Sequence, residues 1–126
     1  MAYPKLMTAK AIYDFDVDGG GQQAITPAHA ETIPANAVIT KAYTVVTTVG
    51  APTTAKVAIA VGGVDIIGTA TLLNDASLAD EKVTEYDIAD KTTAAGKPIF
   101  TTSVADVTAG VIELYVQYYV AGVSAA

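Results

Sequence analysis

Strict alternation of apolar and polar side chains near the end of the chain is the feature that most limits how it can fold. Between residues 111 and 120, every second side chain is large and apolar. Successive side chains of a β-strand point to opposite faces, so this period of two predicts a strand with one buried face. The predicted buried face consists of Ile112, Leu114, Val116, Tyr118 and Val120, and the opposite face of Glu113, Tyr115, Gln117 and Tyr119.

The same period, interrupted by glycine and proline, recurs along most of the chain. Helical spacing of apolar residues is scarce, and Thr, Val and Ile, which favour strands, are frequent. Turns are expected at the glycine runs 19–21 and 62–63, and at Pro52. About seven or eight antiparallel strands at this spacing predict an all-β fold, a single β-sandwich or its jelly-roll form. The predicted strands occupy residues 10–18, 23–26, 38–49, 56–61, 64–73, 99–104 and 111–120, with an edge strand near Tyr86.

Two of these strands carry specific predictions about their faces. In residues 10–18, apolar side chains at every second position from Ala11 to Val17 predict one half-buried strand. Residues 38–49 carry few charges, which is typical of a central strand. Strict alternation there places Ile39, Tyr43, Val45 and Val49 on one face and Val38, Ala42 and Val46 on the other.

The strand pattern divides the chain into three parts. Residues 1–10 show no strand pattern and are expected to form an N-terminal arm, residues 11–121 the β-sandwich domain, and residues 122–126 a frayed C-terminal tail. Within the domain, residues 74–91 are the most acidic and least periodic. This segment is expected to be a surface excursion that contains a short helix near residues 77–83.

Charge and composition exclude several classes of function. The chain has 7 lysines and no arginine against 13 acidic residues, a formal net charge of −6, which argues against a nucleic-acid partner. It has no cysteine, and therefore no disulfide or thiolate site. No apolar run has the length of a signal peptide core or of a membrane span, so we expect synthesis in the cytoplasm and no membrane partner.

Two local motifs are candidates for chemistry. The segment from Asp14 to Gly19 matches the opening of a calcium-binding loop, but position twelve, which needs a bidentate glutamate, is Ile25. A solvated acidic face is the favoured interpretation, and no metal or other cofactor is predicted. His29 is the only histidine, and no nucleophile motif accompanies it. The sequence therefore predicts that the protein is not an enzyme.

The seven tyrosines suit either an ordinary core and rim or contacts between proteins. Tyrosine has an apolar ring and a polar tip, which suits an interface that stays partly wet. Tyr115, Tyr118 and Tyr119 are the candidates for a subunit interface, with ordinary core and rim tyrosines as the alternative.

Three segments of the chain are distinctive: 11–20 (AIYDFDVDGG), 33–40 (IPANAVIT) and 108–118 (TAGVIELYVQY). Together they resemble a family of small phage head decoration proteins, also called capsid cement proteins. The resemblance implies a β-sandwich that binds the outside of an assembled head and stabilises contacts between capsomers. It also implies the major capsid protein as partner, a location on the capsid surface of the virion, and a homo-oligomer, with a trimer favoured over a dimer.

Two surfaces are candidates for the contact with the capsid. The first is the arm, through Tyr3, Pro4, Leu6 and Met7, and the second is the acidic segment 74–91, through complementarity with basic loops. The rival function is a head-fibre or tail-associated adhesin module that binds a glycan or a cell-surface ligand.

Overall fold

The computed structural model describes residues 5–120 and shows a sandwich of two antiparallel β-sheets. The all-β prediction is confirmed. The five-stranded sheet has the order β3-β1-β9-β4-β7, and the four-stranded sheet has the order β2-β8-β5-β6. The elements are β1 (Met7–Asp14), α1 (Phe15–Asp18), β2 (Ala24–Ile25), β3 (His29–Ala30), β4 (Ala37–Ala51), β5 (Lys56–Val61), β6 (Val64–Leu72), a 3-10 turn (Ala76–Leu78), β7 (Val83–Lys91), β8 (Ile99–Ser103) and β9 (Ala109–Val120).

The strand order is that of a jelly roll. If the two-residue strand β3 is set aside, the remaining eight strands form two four-stranded sheets in which only β5 and β6 are neighbours both in sequence and in a sheet. Every other connection crosses from one sheet to the other, and every pairing is antiparallel. This interleaving of two Greek keys matches the jelly-roll form named from the sequence.

The core lies between the two sheets and is built from alternate residues of each strand. The period of two predicted for residues 56–61 and 111–120 is confirmed, because Val57, Ile59 and Val61 are buried, as are Ile112, Leu114 and Val116. The aromatic rings of Tyr13 and Phe100, one from each sheet, stack with their centroids 5.6 Å apart. Small residues also contribute to the core: Ala9, Ala11, Ala37, Ala42 and Ala55 are all buried.

The strand β4 is central, as predicted, but its faces differ from the prediction. A β-bulge lies between Ile39 and Lys41, where both neighbouring strands shift register. An extra residue in a strand reverses the side-chain alternation beyond it. Tyr43 and Val45 therefore leave the face of Ile39 and point outward. The buried side chains of β4 are Ala37, Ile39, Ala42, Thr44 and Val46.

The beginning of the chain also differs from the sequence prediction. β1 begins at Met7, and residues 7–10, assigned above to the arm, pair with β9 and bury Ala9. Residues 1–4 and the tail 122–126 lie outside the described residues. The strand ends at Asp14, four residues earlier than predicted, because the Asp14 side chain accepts a hydrogen bond from the Asp16 amide and caps the single turn α1. Val17 is consequently exposed.

The acidic segment 74–91 is a surface excursion, as predicted, only through residue 82. The short helix predicted near residues 77–83 is wrong, because the structure has a 3-10 turn at Ala76–Leu78 and a turn before Val83. Residues 83–91 form β7, the predicted edge strand, in the five-stranded sheet. The outward carboxylates of Glu85 and Asp87 suit an edge, because charges discourage unintended strand pairing. Among the described residues no helix is long and apolar enough to cross a membrane.

Two buried threonines are predicted to respond in opposite ways to the same substitution. Thr44 is fully buried, and its hydroxyl has no hydrogen-bond partner among the described residues. The Thr92 hydroxyl accepts from the Ala37 amide at 3.0 Å and donates to the Pro34 carbonyl at 2.8 Å. Thr44→Val should raise the free energy of unfolding by about 1 kcal/mol, and Thr92→Val should lower it by about 1–3 kcal/mol. Urea denaturation of both variants measures this, and a stability loss in both would contradict it.

Candidate functional site: the outer face of the five-stranded sheet

The outward side chains of the five-stranded sheet form a surface of regular rows. Register pairs align these residues in rows that run across β1, β9, β4 and β7. One row contains Ile12, Glu113, Val45 and Val83; the next contains Lys10, Tyr115, Tyr43 and Glu85; the third contains Thr8, Gln117, Lys41 and Asp87. We refer to these twelve residues as the outer face.

Two tyrosines occupy the centre of the outer face. Tyr43 and Tyr115 are direct cross-strand partners on β4 and β9. The Tyr115 hydroxyl donates a hydrogen bond to Oε1 of Glu113 at 2.9 Å, so the ring lies along the sheet surface. Sequence reasoning missed Tyr43, which strict alternation placed on the other face. The available signal was Lys41, which the same alternation would have turned into the core at a large desolvation cost.

A cation and a carboxylate flank Tyr115. Lys10 lies with its Nζ 3.0 Å from Oε1 of Glu113 and 5.2 Å from the centre of the Tyr115 ring. The hydrogen bonds from Lys10 and Tyr115 lower the pKa of the Glu113 carboxyl, and the hydrogen bond to Glu113 raises the pKa of Lys10. The ion pair therefore stays charged through neutral pH.

A second ion pair lies on the other side of the centre. Nζ of Lys41 is 2.9 Å from Oε1 of Glu85 and 3.9 Å from a carboxylate oxygen of Asp87. The hydrogen bond to Glu85 raises the pKa of Lys41. Both lysines of the outer face thus have carboxylate partners within the face, and its formal charge is only −1.

The predicted interface tyrosines separate into two groups. Tyr115 and Tyr119 are half-buried on the outward side of β9. Tyr118 faces the core and is only 8% exposed, so it is not part of an open surface. The subunit-interface prediction therefore narrows to Tyr115 and Tyr119.

Two of the four capsid-contact candidates, Leu6 and Met7, lie at one end of the sandwich. Leu6 is 55% exposed and Met7 is 36% exposed, and Met7 is the first residue of β1, paired with Tyr118. Tyr3 and Pro4 lie outside the described residues. The sandwich end that contains Leu6 and Met7 is called the arm end below.

The opposite end of the sandwich is strongly acidic. It consists of residues 14–23, 52–56, 73–82 and 104–108, which hold seven of the 13 acidic residues and two of the 7 lysines, a formal charge of −5. None of these charges forms an ion pair within the described part of the chain. β1 alone separates the two ends by roughly 24 Å. Leu6 and Met7 therefore lie at the end opposite residues 74–82 of the acidic segment, the second candidate for the capsid contact. Residues 83–91 of that segment run back along β7 toward the arm end.

The carboxylates of the acidic end hold loops in place. Asp18 accepts from the Ala28 amide at 2.8 Å and from the Asp14 amide at 3.0 Å. Asp80 accepts from the Val49 amide at 3.1 Å. No group of three or more histidine or acidic side chains within residues 5–120 is placed to hold a metal ion.

His29 lies exposed on the short edge strand β3, opposite Ile12 of β1. Its neighbours in a shallow open groove include Lys10 and Glu31, but no serine or threonine hydroxyl lines that groove. The arrangement offers no nucleophile for His29 to activate.

Comparison with known proteins gives a fold likeness only. No protein-family model and no curated protein matches the chain. It is similar to a chain in the capsid of Helicobacter pylori bacteriophage KHP30, with a TM-score of 0.66, 14% identity, and coverage of 95% of this chain and 92% of that chain. It is also similar to a chain in the capsid asymmetric unit of cyanophage Pam1, with a TM-score of 0.63, 14% identity, and coverage of 93% and 86%.

A third likeness is to a chain in the capsid of Ralstonia phage GP4, with a TM-score of 0.57, 12% identity, and coverage of 98% of this chain and 88% of that chain. The three likenesses span nearly the whole chain in each case. The protein therefore has a capsid-related β-fold found in chains of phage capsids.

The ion pair between Lys10 and Glu113 predicts a pH-dependent contribution to the free energy of unfolding. Because the folded-state pKa of Glu113 is depressed, its contribution is present above the unfolded-state pKa and is lost as pH falls through the folded-state pKa. The difference in unfolding free energy between the native chain and Glu113→Gln should be largest near neutral pH and vanish in acid. Denaturant titrations at several pH values measure it.

Asp87→Asn serves as the matched control. The Asp87 carboxylate is 83% exposed, and its nearest oxygen lies as far as 3.9 Å from Nζ of Lys41, so this ion pair is weak. Exposed ion pairs contribute little, so this variant should match the native chain at every pH. A Glu113→Gln difference that is independent of pH would contradict the prediction.

Proposed function

We propose that this protein is a non-enzymatic structural component of a phage virion, a decoration or cement protein on the outside of the assembled head. The observation that carries the proposal is the likeness of nearly the whole chain to chains of three phage capsids. The outer face supports it, because it offers flat recognition surface and no arrangement for catalysis. The partner is the major capsid protein, and several copies act together as a homo-oligomer.

The arm end is the surface proposed to contact the capsid. It presents the exposed apolar side chains Leu6 and Met7, and Lys5, Lys91 and Lys97 belong to the same half of the molecule. The acidic end is the less suitable candidate, because its carboxylates already accept hydrogen bonds from loop amides. Tyr3 and Pro4 complete the proposed contact. The acidic end would then face the solvent and keep decorated heads mutually repulsive.

The first test is co-sedimentation of the purified protein with expanded capsids assembled from the major capsid protein of the same genome. Binding should saturate at a fixed ratio of copies to capsid subunits, because each site on a lattice accepts one assembly. Absence of pelleting at every salt concentration, together with saturable glycan binding by the isolated protein, would overturn the proposal in favour of the adhesin.

A matched pair of substitutions tests which end makes the contact. Leu6 and Val17 are 55% and 54% exposed and lie at opposite ends of the sandwich. Leu6→Ser should weaken capsid binding several-fold, since losing a buried leucine contact costs about 1–2 kcal/mol, whereas Val17→Ser should leave binding unchanged. The reverse pattern would move the contact to the acidic end. Point substitutions are preferred to deletion of residues 1–10, because residues 7–10 belong to β1.

A further inference from the structure

The outward surfaces of the two sheets differ in the size of their side chains. The four-stranded sheet presents mainly small residues, among them Ala24, Ala58, Ala60 and Thr101. The outer face of the five-stranded sheet instead presents Ile12, Tyr43, Val45, Tyr115 and Val83, and Val83 is 58% exposed. Tyrosines with apolar neighbours at the centre of a surface are typical of the core of a protein interface.

The charges of the outer face are arranged so that the face can be covered at modest electrostatic cost. Lys10 pairs with Glu113, and Lys41 pairs with Glu85 and Asp87. A partner that covers these pairs does not have to supply counter-charges, because each lysine keeps its carboxylate. The acidic end, with its unpaired charge of −5, lacks this property.

The sheet surface around the outer face is large enough for a stable contact. The four strands that carry it, β1, β9, β4 and β7, have eight to fifteen residues each. At spacings of about 4.8 Å between strands and 3.4 Å along them, the outward side of the whole strands projects to roughly 700 Å², of which the three rows of the outer face cover about 390 Å². Each partner of a standard protein interface buries roughly 800 Å².

We propose that the outer face docks against the same face of a second copy, around a two-fold axis that runs parallel to the strands between β4 and β9. This arrangement lays β9 of one copy over β4 of the other, and β1 over β7. Tyr115 then meets Tyr43 of the second copy, and Ile12 meets Val83.

Charge complementarity selects this axis over the alternative. An axis that crosses the strands lays β7 on β7, so that Glu85 and Asp87 approach the same carboxylates of the other copy. The axis along the strands instead brings Lys10 over Glu85, and Gln117 over Lys41, in the rows that the register pairs define. Like charges placed opposite each other in an interface disfavour the first arrangement.

The chosen axis places the two acidic ends side by side. Their centres are separated by roughly two sheet spacings, about 20 Å, which exceeds the Debye length of about 8 Å at physiological ionic strength. The repulsion is therefore largely screened in such a buffer. The dimer is accordingly tested at about 0.15 M salt.

Sedimentation velocity of the full chain tests whether a dimer forms. The native protein should give a species of twice its 12.8 kDa chain mass, and the ratio of dimer to monomer should rise with protein concentration. Tyr43→Ser removes a central side chain twice per dimer and should raise the dissociation constant by at least about tenfold. Ile99→Ser, a matched change on the outward side of β8 where Ile99 is 39% exposed, should leave it unchanged. A monomer at every concentration, or a dimer weakened only by Ile99→Ser, would overturn the proposal.

Disulfide trapping tests the position of the axis. The chain has no cysteine of its own, so only the introduced cysteines can form a cross-link. The double variant Ile12→Cys, Val83→Cys should form a covalent dimer on oxidation, seen on a non-reducing gel. Within one copy these positions are three strand spacings apart, about 14 Å, which is too far for a disulfide.

Each single variant should stay uncrosslinked, since the two-fold axis also separates identical positions by about 14 Å. A covalent dimer from Ile12→Cys alone would show that the two-fold axis crosses the strands, and it would overturn the proposed axis along them. If the native protein sediments as a dimer but the double cysteine variant forms no covalent dimer on oxidation, the outer face is not the dimer interface. Neither test involves capsids, so their outcomes are independent of the proposed decoration role.

Discussion

The pairing of β9 with both β1 and β4 is the interaction on which the rest of the molecule depends. β9 lies between these two strands, which do not pair with each other, and so joins the beginning of the chain to its middle. Its inward residues Ile112, Leu114 and Val116 form part of the core, and its outward residues Glu113 and Tyr115 form the centre of the outer face. A shift of one residue in register would exchange the two sets, so the core and the recognition surface are specified together.

The bulge at Thr40 is the second constraint, and it explains where sequence reasoning succeeded and where it failed. Alternation predicted the sandwich and the inward residues of β5 and β9, because these depend only on which side chains avoid water, and the acidic composition of residues 74–91 predicted the edge strand. The jelly-roll strand order depends on long-range pairing, and the sequence pattern left it open. Alternation could not locate a one-residue insertion in β4. The bulge turns Lys41 outward to Glu85, and the same shift buries the Thr44 hydroxyl without a partner. With the bulge, the core contains the Thr44 hydroxyl without a hydrogen-bond partner among the described residues. Without it, the core would contain the ammonium group of Lys41, which costs more to bury.

The start of the chain shows a different limit of the sequence pattern. Residues 7–10 contain only one large apolar side chain, Met7, yet they form a strand because β9 offers them a complete set of backbone partners. At the other end of β1, alternation continues through Phe15 and Val17, but Asp14 and Asp18 provide local hydrogen bonds that favour a helical turn. Tertiary pairing and side-chain capping decide these boundaries, and neither is visible in hydrophobic period alone.

The proposed dimer and the proposed capsid contact are geometrically compatible for only one of the two symmetry axes. An axis along the strands keeps Leu6 and Met7 of both copies on the same side, whereas an axis across the strands would point them in opposite directions. Two weak contacts on one side of a rigid pair act at an effective concentration in the millimolar range, so each contact strengthens the other. Shell binding and dimerisation would then be coupled, and a substitution at Tyr43 would weaken attachment to the shell although it lies on the outer face rather than at the arm end.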